Sequence, residues 1–456
     1  MPRLFGTDGV RGTANADLTP EIAFNVSSAA ARVLAEAGVF GSGRRPRALV
    51  GRDPRASGEF LEACVVAGLA SSGVDVVRLD IVPTPGVAFL VGELDADLGV
   101  MLSASHNPAP DNGIKFFARG GVKLDDDLED AIEASMGERW QRPTGAGVGR
   151  VTDDHGAYET YVAHLVASLG QDASLAGLKV VIDAANGAAF RTAPAAFAAQ
   201  GAEVVLVHAE PDGLNINDHA GSTHPEVLQE AVVAHGADLG IALDGDADRC
   251  LAVDTTGRLV DGDQIIAVLA LAMKEARTLH SDTVVATVMS NLGFFRAMKA
   301  HGITVDSTKV GDRYVLEAMN ANGFTLGGEQ SGHVIMSEYA TTGDGVLTAL
   351  HLAARMVGTG RPLADLASIV TRFPQVLVNV PGVNKVRAGL DPEVNAAVSA
   401  AAKELGDDGR VLLRPSGTEP LVRVMVEADT LQRAQQVADR LAHVVRERLA
   451  LDPHRG

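Results

Sequence analysis

The 456-residue sequence predicts an α/β protein in which three repeated mixed α/β domains and a smaller C-terminal α+β domain surround a central cleft. Three observations carry that expectation. At roughly 150 residues per domain, the length fits three or four domains. A strand, turn, helix, strand pattern that ends in a polar loop occurs three times. From about Phe373 the pattern changes to strands in close succession, followed by one long helix.

The first unit opens with the apolar run Ala48 to Val50 and the turn Gly51-Arg52-Asp53-Pro54. Ser57 is the expected N-cap of a helix whose buried face holds Phe60, Leu61, Cys64, Val65, Gly68 and Leu69, and Gly73 closes it. A strand from Val74 to Leu79, a Pro-rich connection and a strand from Leu98 to Leu102 follow. The unit ends in Ser103-Ala104-Ser105-His106-Asn107-Pro108. In the second unit, the strand Lys179 to Ile182 turns at Asp183 to Gly187 into a helix with Pro194 near its start, and a strand from Glu203 to Val207 follows. A capping box, Thr223-His224-Pro225-Glu226, then opens a helix that Gly236 ends. The strand Asp238 to Leu243 leads into Asp244-Gly245-Asp246-Ala247-Asp248-Arg249.

The third unit runs from a strand at Thr283 to Met289 through a helix ending at Gly302 to a strand at Ile303 to Val305. A helix capped by Asp312 and closed by Gly323 follows. The strand Phe324 to Leu326 then enters Gly327-Gly328-Glu329-Gln330-Ser331-Gly332-His333. Ligands bind outside the carboxyl ends of strands in such sheets, so the three polar loops are expected to share a cleft. In the last unit, Val376 to Val380, Arg410 to Leu413 and Leu421 to Val426 read as an antiparallel sheet, with a helix from Leu431 to about Arg448 and a frayed tail after Leu451. The Gly/Pro-rich stretch Arg142 to Gly147 marks a boundary. The resulting domains are 1–154, 155–254, 255–369 and 370–456.

Composition excludes several classes. With 39 Lys+Arg against 58 Asp+Glu, the net charge of −19 argues against nucleic-acid or membrane-surface binding. The longest apolar run, Ile265 to Met273, is too short for a bilayer, which needs about 20 residues. Cys64 and Cys250 cannot form a disulfide framework. The N-terminal MPRLFGTDGVRG lacks a signal-like apolar region. A cytoplasmic location is the expectation. A homodimer is compatible with the sequence, which does not specify the assembly.

Asp244, Asp246 and Asp248 alternate, so in an extended loop all three carboxylates would point to one side. Hard oxygen ligands suit one Mg²⁺. The competing reading is a solvated acidic turn. An EF-hand is excluded, because Arg249 and Thr255 occupy the positions that need Gly and Glu. Three aspartates against one Mg²⁺ leave a net negative charge, and a phosphate adds about −1.5 to −2. The cleft therefore needs cations, and Arg11, Lys115, Arg249 and Lys309 stand in polar or Gly-rich loops at predicted strand ends. Ser105, opposite such a metal loop, is a candidate phosphoryl acceptor. Arg414-Pro415-Ser416-Gly417-Thr418 reads as an anion nest, with Arg423 as a second bidentate cation. Glu329 and Ser331 suit sugar hydroxyls or an amino group. There is no Walker A sequence and no dinucleotide fingerprint.

Five ordered motifs carry a resemblance: Phe5 to Gly12, Ser103 to Pro108, Asp244 to Arg249, Gly328 to His333 and Arg414 to Thr418. Over essentially its full length the chain resembles the α-D-phosphohexomutases. The N-terminal segment and Gln330 resemble the hexosamine-phosphate members. The resemblance implies an isomerase in which phosphorylated Ser105 converts glucosamine 6-phosphate to glucosamine 1-phosphate through a bisphosphorylated sugar, toward the UDP-sugar of cell-wall synthesis. It implies that Mg²⁺ binds the Ser105 phosphate with Asp244, Asp246 and Asp248, and that a hexose or hexosamine 1,6-bisphosphate activates the enzyme. Arg249, Lys309, Glu329 and Ser331 would contact the sugar phosphate. Arg414, Ser416, Gly417, Thr418 and Arg423 would hold the phosphate that is not reacting. Arg11, Lys115 and His333 would surround the reacting centre, with the general acid/base among them unassigned.

The sequence is also compatible with three rival readings: a phosphomannomutase or phosphoglucomutase, a non-catalytic sugar-phosphate sensor, and a phosphatase with Asp244 as nucleophile.

Overall fold

In a computed structural model, described here for residues 3–6, 8–41, 43–416 and 421–451, the chain divides into two compact units. The larger comprises residues up to Met289 and Gly302 to Ile369; the smaller comprises Ser290 to His301 and Val370 onward. The predicted frayed tail after Leu451, like Gly417 and Thr418, lies outside the described residues.

The larger unit holds three sheets. The first orders its strands Phe5–Gly6, Gly9–Thr13, Asp111–Ala118, Leu98–Leu102, Arg47–Arg52, Asp75–Ile81 and Val151–Asp153, with Val122–Lys123 paired to Asp111–Ala118. The second orders them Glu203–Val207, Lys179–Asp183, Leu239–Leu243, Cys250–Val253 and Leu259–Val260. The third is Thr304–Thr308, Thr283–Thr287, Leu326–Gly328 and Val334–Met336.

One arrangement recurs in all three. The strands Leu98–Leu102, Leu239–Leu243 and Leu326–Gly328 each have a parallel neighbour on one side and an antiparallel neighbour on the other. A strand covered on both faces is apolar throughout, and every residue of these three is buried. Each runs straight into its antiparallel partner through the polar loop picked out in the sequence. A tight reversal at the carboxyl end of a central strand thus presents Ser105, the three aspartates and Glu329 at equivalent places in the repeat.

Several local expectations are corrected. Ser57 does not cap its helix: Ala56–Ser71 begins after Arg55, whose N–H is held by Asp53 Oδ1 (3.0 Å), and Ser57 Oγ instead accepts from Asn112 Nδ2 (2.8 Å). The Pro-rich connection contains a helix, Thr84–Glu93. Its prolines sit at the start, where a missing N–H costs nothing, and its nearly uniform burial leaves no amphipathic period. The capping box at Thr223 is not formed, because Gly221–Thr223 makes a separate 3₁₀ turn and Glu226–His235 starts after Pro225. Asp312 is the first helical residue rather than the cap, which is Gly311 at φ 130°. No helix among the described residues is long and apolar enough to cross a membrane.

The smaller unit has an antiparallel sheet in the order Gln375–Pro381, Leu421–Ala428, Gly409–Pro415. The helix Leu431–Leu449 buries Ala434, Val437, Ala438, Leu441, Ala442, Val445 and Leu449, which are three or four residues apart and so form one stripe. They pack in one cluster with Val380, Val422, Val424 and Val426. A helix not anticipated from sequence, Pro392–Leu405, is capped by Asp391.

Candidate active site

Ser105 stands where the first and second sheets meet. Its side chain is buried, its φ is 51°, and Oγ donates to Asp244 Oδ2 at 2.6 Å. The aspartates do not lie in an extended loop as expected. The loop turns back on itself: Ala247 has φ 56° and its N–H bonds to Asp244 O at 3.0 Å. Convergence therefore arises from a turn rather than from period-two alternation. One carboxylate oxygen from each of Asp244, Asp246 and Asp248 lies within 4.8 Å of the others. Gly245 permits the approach of the two loops, since a Cβ there would lie 2.6 Å from Ser105 O and 2.8 Å from Asn217 Nδ2.

The three carboxylates are buried in different electrostatic settings. Burial, then Asp248 and Asp246, push the Asp244 carboxyl well above the usual range. Asp248 goes the other way: burial opposes its charge, but His333, Lys115 and Arg249 together hold its pKa far below normal. Asp246 Oδ2 accepts from Thr84 Oγ1 (2.5 Å) and Lys115 Nζ (2.7 Å). Asp246 Oδ1 and Asp248 Oδ1 are buried without a hydrogen-bond partner among the described residues. Unsatisfied anionic oxygens are costly inside a protein, and two of them in a three-carboxylate cluster fit a bound hard cation.

Cations line the same place. Lys115, on the strand Asp111–Ala118, also reaches Asp8 Oδ2 at 2.8 Å. Burial disfavours its charge, but Asp246 and Asp8 outweigh that and raise its pKa, so the ammonium persists at neutral pH. Arg11 pairs with Asp8, and Arg249 Nε lies 3.8 Å from Asp248 Oδ1. His333 Nδ1 is 3.6 Å from Asp248 Oδ2 and Nε2 is 4.0 Å from Asp312 Oδ2. Burial resists a charge on this ring while Asp248 and Asp312 pull its pKa up. The Gly343 N–H aimed at Nε2 (3.2 Å) opposes that pull, because only an unprotonated Nε2 can accept it. His106 Nδ1 is 3.3 Å from Ser105 Oγ, and its pKa is pushed down to about 4 by burial and then by Arg249 and Arg11.

The remaining predicted residues are less tightly placed. Glu329 Oε1 accepts from Gly311 N at 3.1 Å, Ser331 is exposed, and the exposed Lys309 lies over the Tyr314 ring. In the smaller unit, Arg414 and Arg423 are direct cross-strand neighbours. Burial and then Arg423 lower the Arg414 pKa, as expected of two adjacent cations. Ser416 N–H bonds to Leu421 O, and Lys385 Nζ reaches Ser416 O at 2.8 Å.

Sequence reasoning missed Asp8, Asp53, Arg55, Thr84, Lys123, Asn217, Asp312, Gly343 and Asp344. Lys123 pairs with both Asp8 and Asp312 and so joins the first and third sheets. Asp8 lies inside the Phe5 to Gly12 motif and Asp312 was read only as a helix cap, because a single charge carries no spacing signal. Asn217 serves carbonyls of a distant loop and leaves no local trace, and the N-cap position of Asp344 does not reveal its bond to Tyr161.

Residues 2–142, 159–257, 261–373 and 374–444 match, respectively, phosphoglucomutase/phosphomannomutase alpha/beta/alpha domains I, II and III and the C-terminal domain. The chain belongs to the phosphoglucomutase/phosphomannomutase family of phosphohexomutases. Within it, the chain is 67% identical to a Cutibacterium acnes protein named phosphoglucosamine mutase, covering 99% of this chain and 100% of that one. It is 66% identical to the Streptomyces griseus phosphoglucosamine mutase, covering 98% and 100%. Among solved structures, a phosphoglucomutase/phosphomannomutase family protein from Burkholderia thailandensis is 26% identical, with a TM-score of 0.80 over 98% of this chain and 99% of that one. The N-acetylphosphoglucosamine mutase of Aspergillus fumigatus, solved with GlcNAc-6P and magnesium, shares the fold at 18% identity and a TM-score of 0.68, covering 97% and 95%.

Proposed function

We propose that this isomerase interconverts glucosamine 6-phosphate and glucosamine 1-phosphate through a phosphoserine at Ser105. The observation that supports this most directly is the 2.6 Å contact of Ser105 Oγ with Asp244 in a buried three-carboxylate cluster that Lys115 borders. The names of the relatives at 62–67% identity favour the glucosamine substrate over mannose or glucose.

In the forward direction the Ser105 Oγ–P bond breaks and a bond forms from phosphorus to the sugar O1. The O1 proton passes to Ser105 Oγ by way of the surrounding groups. The resulting 1,6-bisphosphate turns over; its O6–P bond breaks as a bond forms from phosphorus to Ser105 Oγ, and the Ser105 hydroxyl proton passes to the sugar O6. Asp244, Asp246 and Asp248 would hold Mg²⁺ with the Ser105 phosphate. When bound, the ion neutralises charge on the transferred group. Lys115 and Arg11 supply fixed positive charge beside Ser105, and a persistent ammonium at Lys115 can donate a proton to a departing oxygen. His333, 3.6 Å from Asp248 Oδ2, is assigned with Arg11 and Lys115 to the surroundings of the reacting centre. Arg249, Lys309, Glu329 and Ser331 are assigned to the sugar phosphate, and Arg414, Ser416, Gly417, Thr418 and Arg423 to the distal phosphate. Two adjacent guanidinium groups repel until an anion lies between them. The assignment divides the chain into domains 1–154, 155–254, 255–369 and 370–456. A hexose or hexosamine 1,6-bisphosphate would load Ser105, and the product suits uridylyl transfer in the cytoplasm.

The test is peptide mapping by mass after incubation with glucose 1,6-bisphosphate, combined with turnover of Ser105→Ala. Phosphate on the 105 peptide and loss of isomerisation in the variant are expected. Isomerisation that persists in Ser105→Ala overturns the proposal, and retained hydrolysis there would favour a phosphatase. Comparing kcat/KM for glucosamine, glucose and mannose 6-phosphates tests the substrate.

A further inference from the structure

One side chain grips the Ser105 loop from beneath. Arg55 is fully buried and uses all of its guanidinium N–H groups. Nε donates to Asp53 Oδ2 (2.9 Å), Nη2 to Ser105 O (3.0 Å) and Asn107 O (2.7 Å), and Nη1 to Pro108 O (2.5 Å) and Asp111 O (3.0 Å). Asn217, from the second sheet's loops, adds its Nδ2 to the same Ser105 O (2.9 Å) and Asn107 O (3.0 Å). On the amino side, Asp53 Oδ2 accepts from Ser103 Oγ (2.6 Å), which in turn accepts from Ser105 N (2.9 Å).

This clamp explains an otherwise unfavourable backbone. Ser105 at φ 51° is in the left-handed region, where a residue with a Cβ costs about 1–3 kcal/mol and persists only if its surroundings over-determine it. The clamp also has a direction. Both donors hold the carbonyl of the Ser105–His106 peptide. A trans peptide is planar, so the His106 N–H points the opposite way. That N–H has no acceptor among the described residues, and it follows immediately after the residue whose Oγ faces Asp244.

Resting on the phosphoserine reading above, we propose that Arg55 and Asn217 are positioning residues that hold the His106 backbone N–H against the phosphoryl group on Ser105. The N–H is then a preorganised donor for the oxygens that gain charge as the Oγ–P bond breaks. Among replacements at 106 only proline would remove it, and proline would also restrict the backbone of Ser105, so altering its aim through Arg55 and Asn217 is the cleaner perturbation.

The experiment uses the full chain labelled with ¹⁵N-histidine, with the 106 amide assigned by its loss in His106→Gln, before and after loading from glucose 1,6-bisphosphate. Loading is expected to move that amide proton downfield. Asn217→Gly, which keeps the positive φ but removes the donor, is expected to weaken the shift and lower kcat at least about tenfold, with KM within about twofold. Arg55→Lys, which cannot fork to four carbonyls, is expected to do the same, and Asn217→Gly carries the test if Arg55→Lys does not fold. An unmoved amide in the loaded wild-type protein overturns the proposal. So does an Asn217→Gly variant with full shift and full kcat. Failure of Ser105 to take up phosphate overturns the phosphoserine reading as well, whereas uptake without an amide shift removes this inference alone.

Discussion

Lys115 Nζ lies 2.7 Å from Asp246 Oδ2, although 131 residues separate them and they belong to different sheets. Lys115 is 3% exposed and Asp246 not at all. Removing one partner of such a pair leaves a buried charge uncompensated, at a cost of about 3–5 kcal/mol. Lys115→Met should therefore lower unfolding stability by about that amount in denaturant titrations without metal, and should abolish turnover. Unchanged stability would mean that the carboxylates are not held charged.

Asp246→Asn tests the metal cluster. It retains the shape but removes one of three charges, so Mg²⁺ affinity by calorimetry should fall roughly tenfold or more and transfer should fall with it. Intact metal dependence would count against the ligand assignment.

Metal binding should also stabilise the fold. Two buried carboxylate oxygens, Asp246 Oδ1 and Asp248 Oδ1, lack hydrogen-bond partners among the described residues. Saturating Mg²⁺ at about 100 times its Kd should add about 2.7 kcal/mol. Thermal unfolding with Mg²⁺ against chelator reads this directly, and the same comparison in Asp246→Asn should show a smaller difference.

Asp344 offers a pH test away from the transferred phosphate. Its carboxylate caps the helix Gly345–Thr359 through Leu347 N (2.9 Å) and accepts from the buried Tyr161 hydroxyl (2.7 Å). Burial still raises its pKa to about 6. The folded state thus binds this proton more tightly than the unfolded state. The associated stability is fully present below the unfolded pKa and is lost as pH rises through about 6. Between pH 4 and 7.5, wild-type should lose on the order of 1–3 kcal/mol more stability than Asp344→Asn. Parallel pH profiles for the two proteins would refute the assignment.

Much of the site was legible because its chemistry is concentrated in short loops. Asp244 to Arg249 and Ser103 to Pro108 announce themselves by residue type and by their place after an apolar run. The strands Leu98–Leu102 and Leu239–Leu243 were equally plain, because burial on both faces leaves an unbroken apolar segment. Thr84–Glu93 was not, since a short helix buried nearly all round shows no 3.6-residue period. Arg55 and Asn217 were invisible because a side chain that serves a distant carbonyl has no signature in its own neighbourhood.

The order of the polar loops, their residue types and their attachment to apolar strands were determined by the sequence alone, because backbone hydrogen bonding and burial act over a few residues. Which charges face one another was decided only in three dimensions. Lys115 finds Asp246 and Lys123 finds Asp312 because packing the sheets brings their loop ends together, whereas Lys123 finds Asp8 and Arg55 finds four carbonyls because strand pairing within the first sheet aligns its loops. Coulombic and hydrogen-bond energies depend on distance in space, which separation along the chain does not specify.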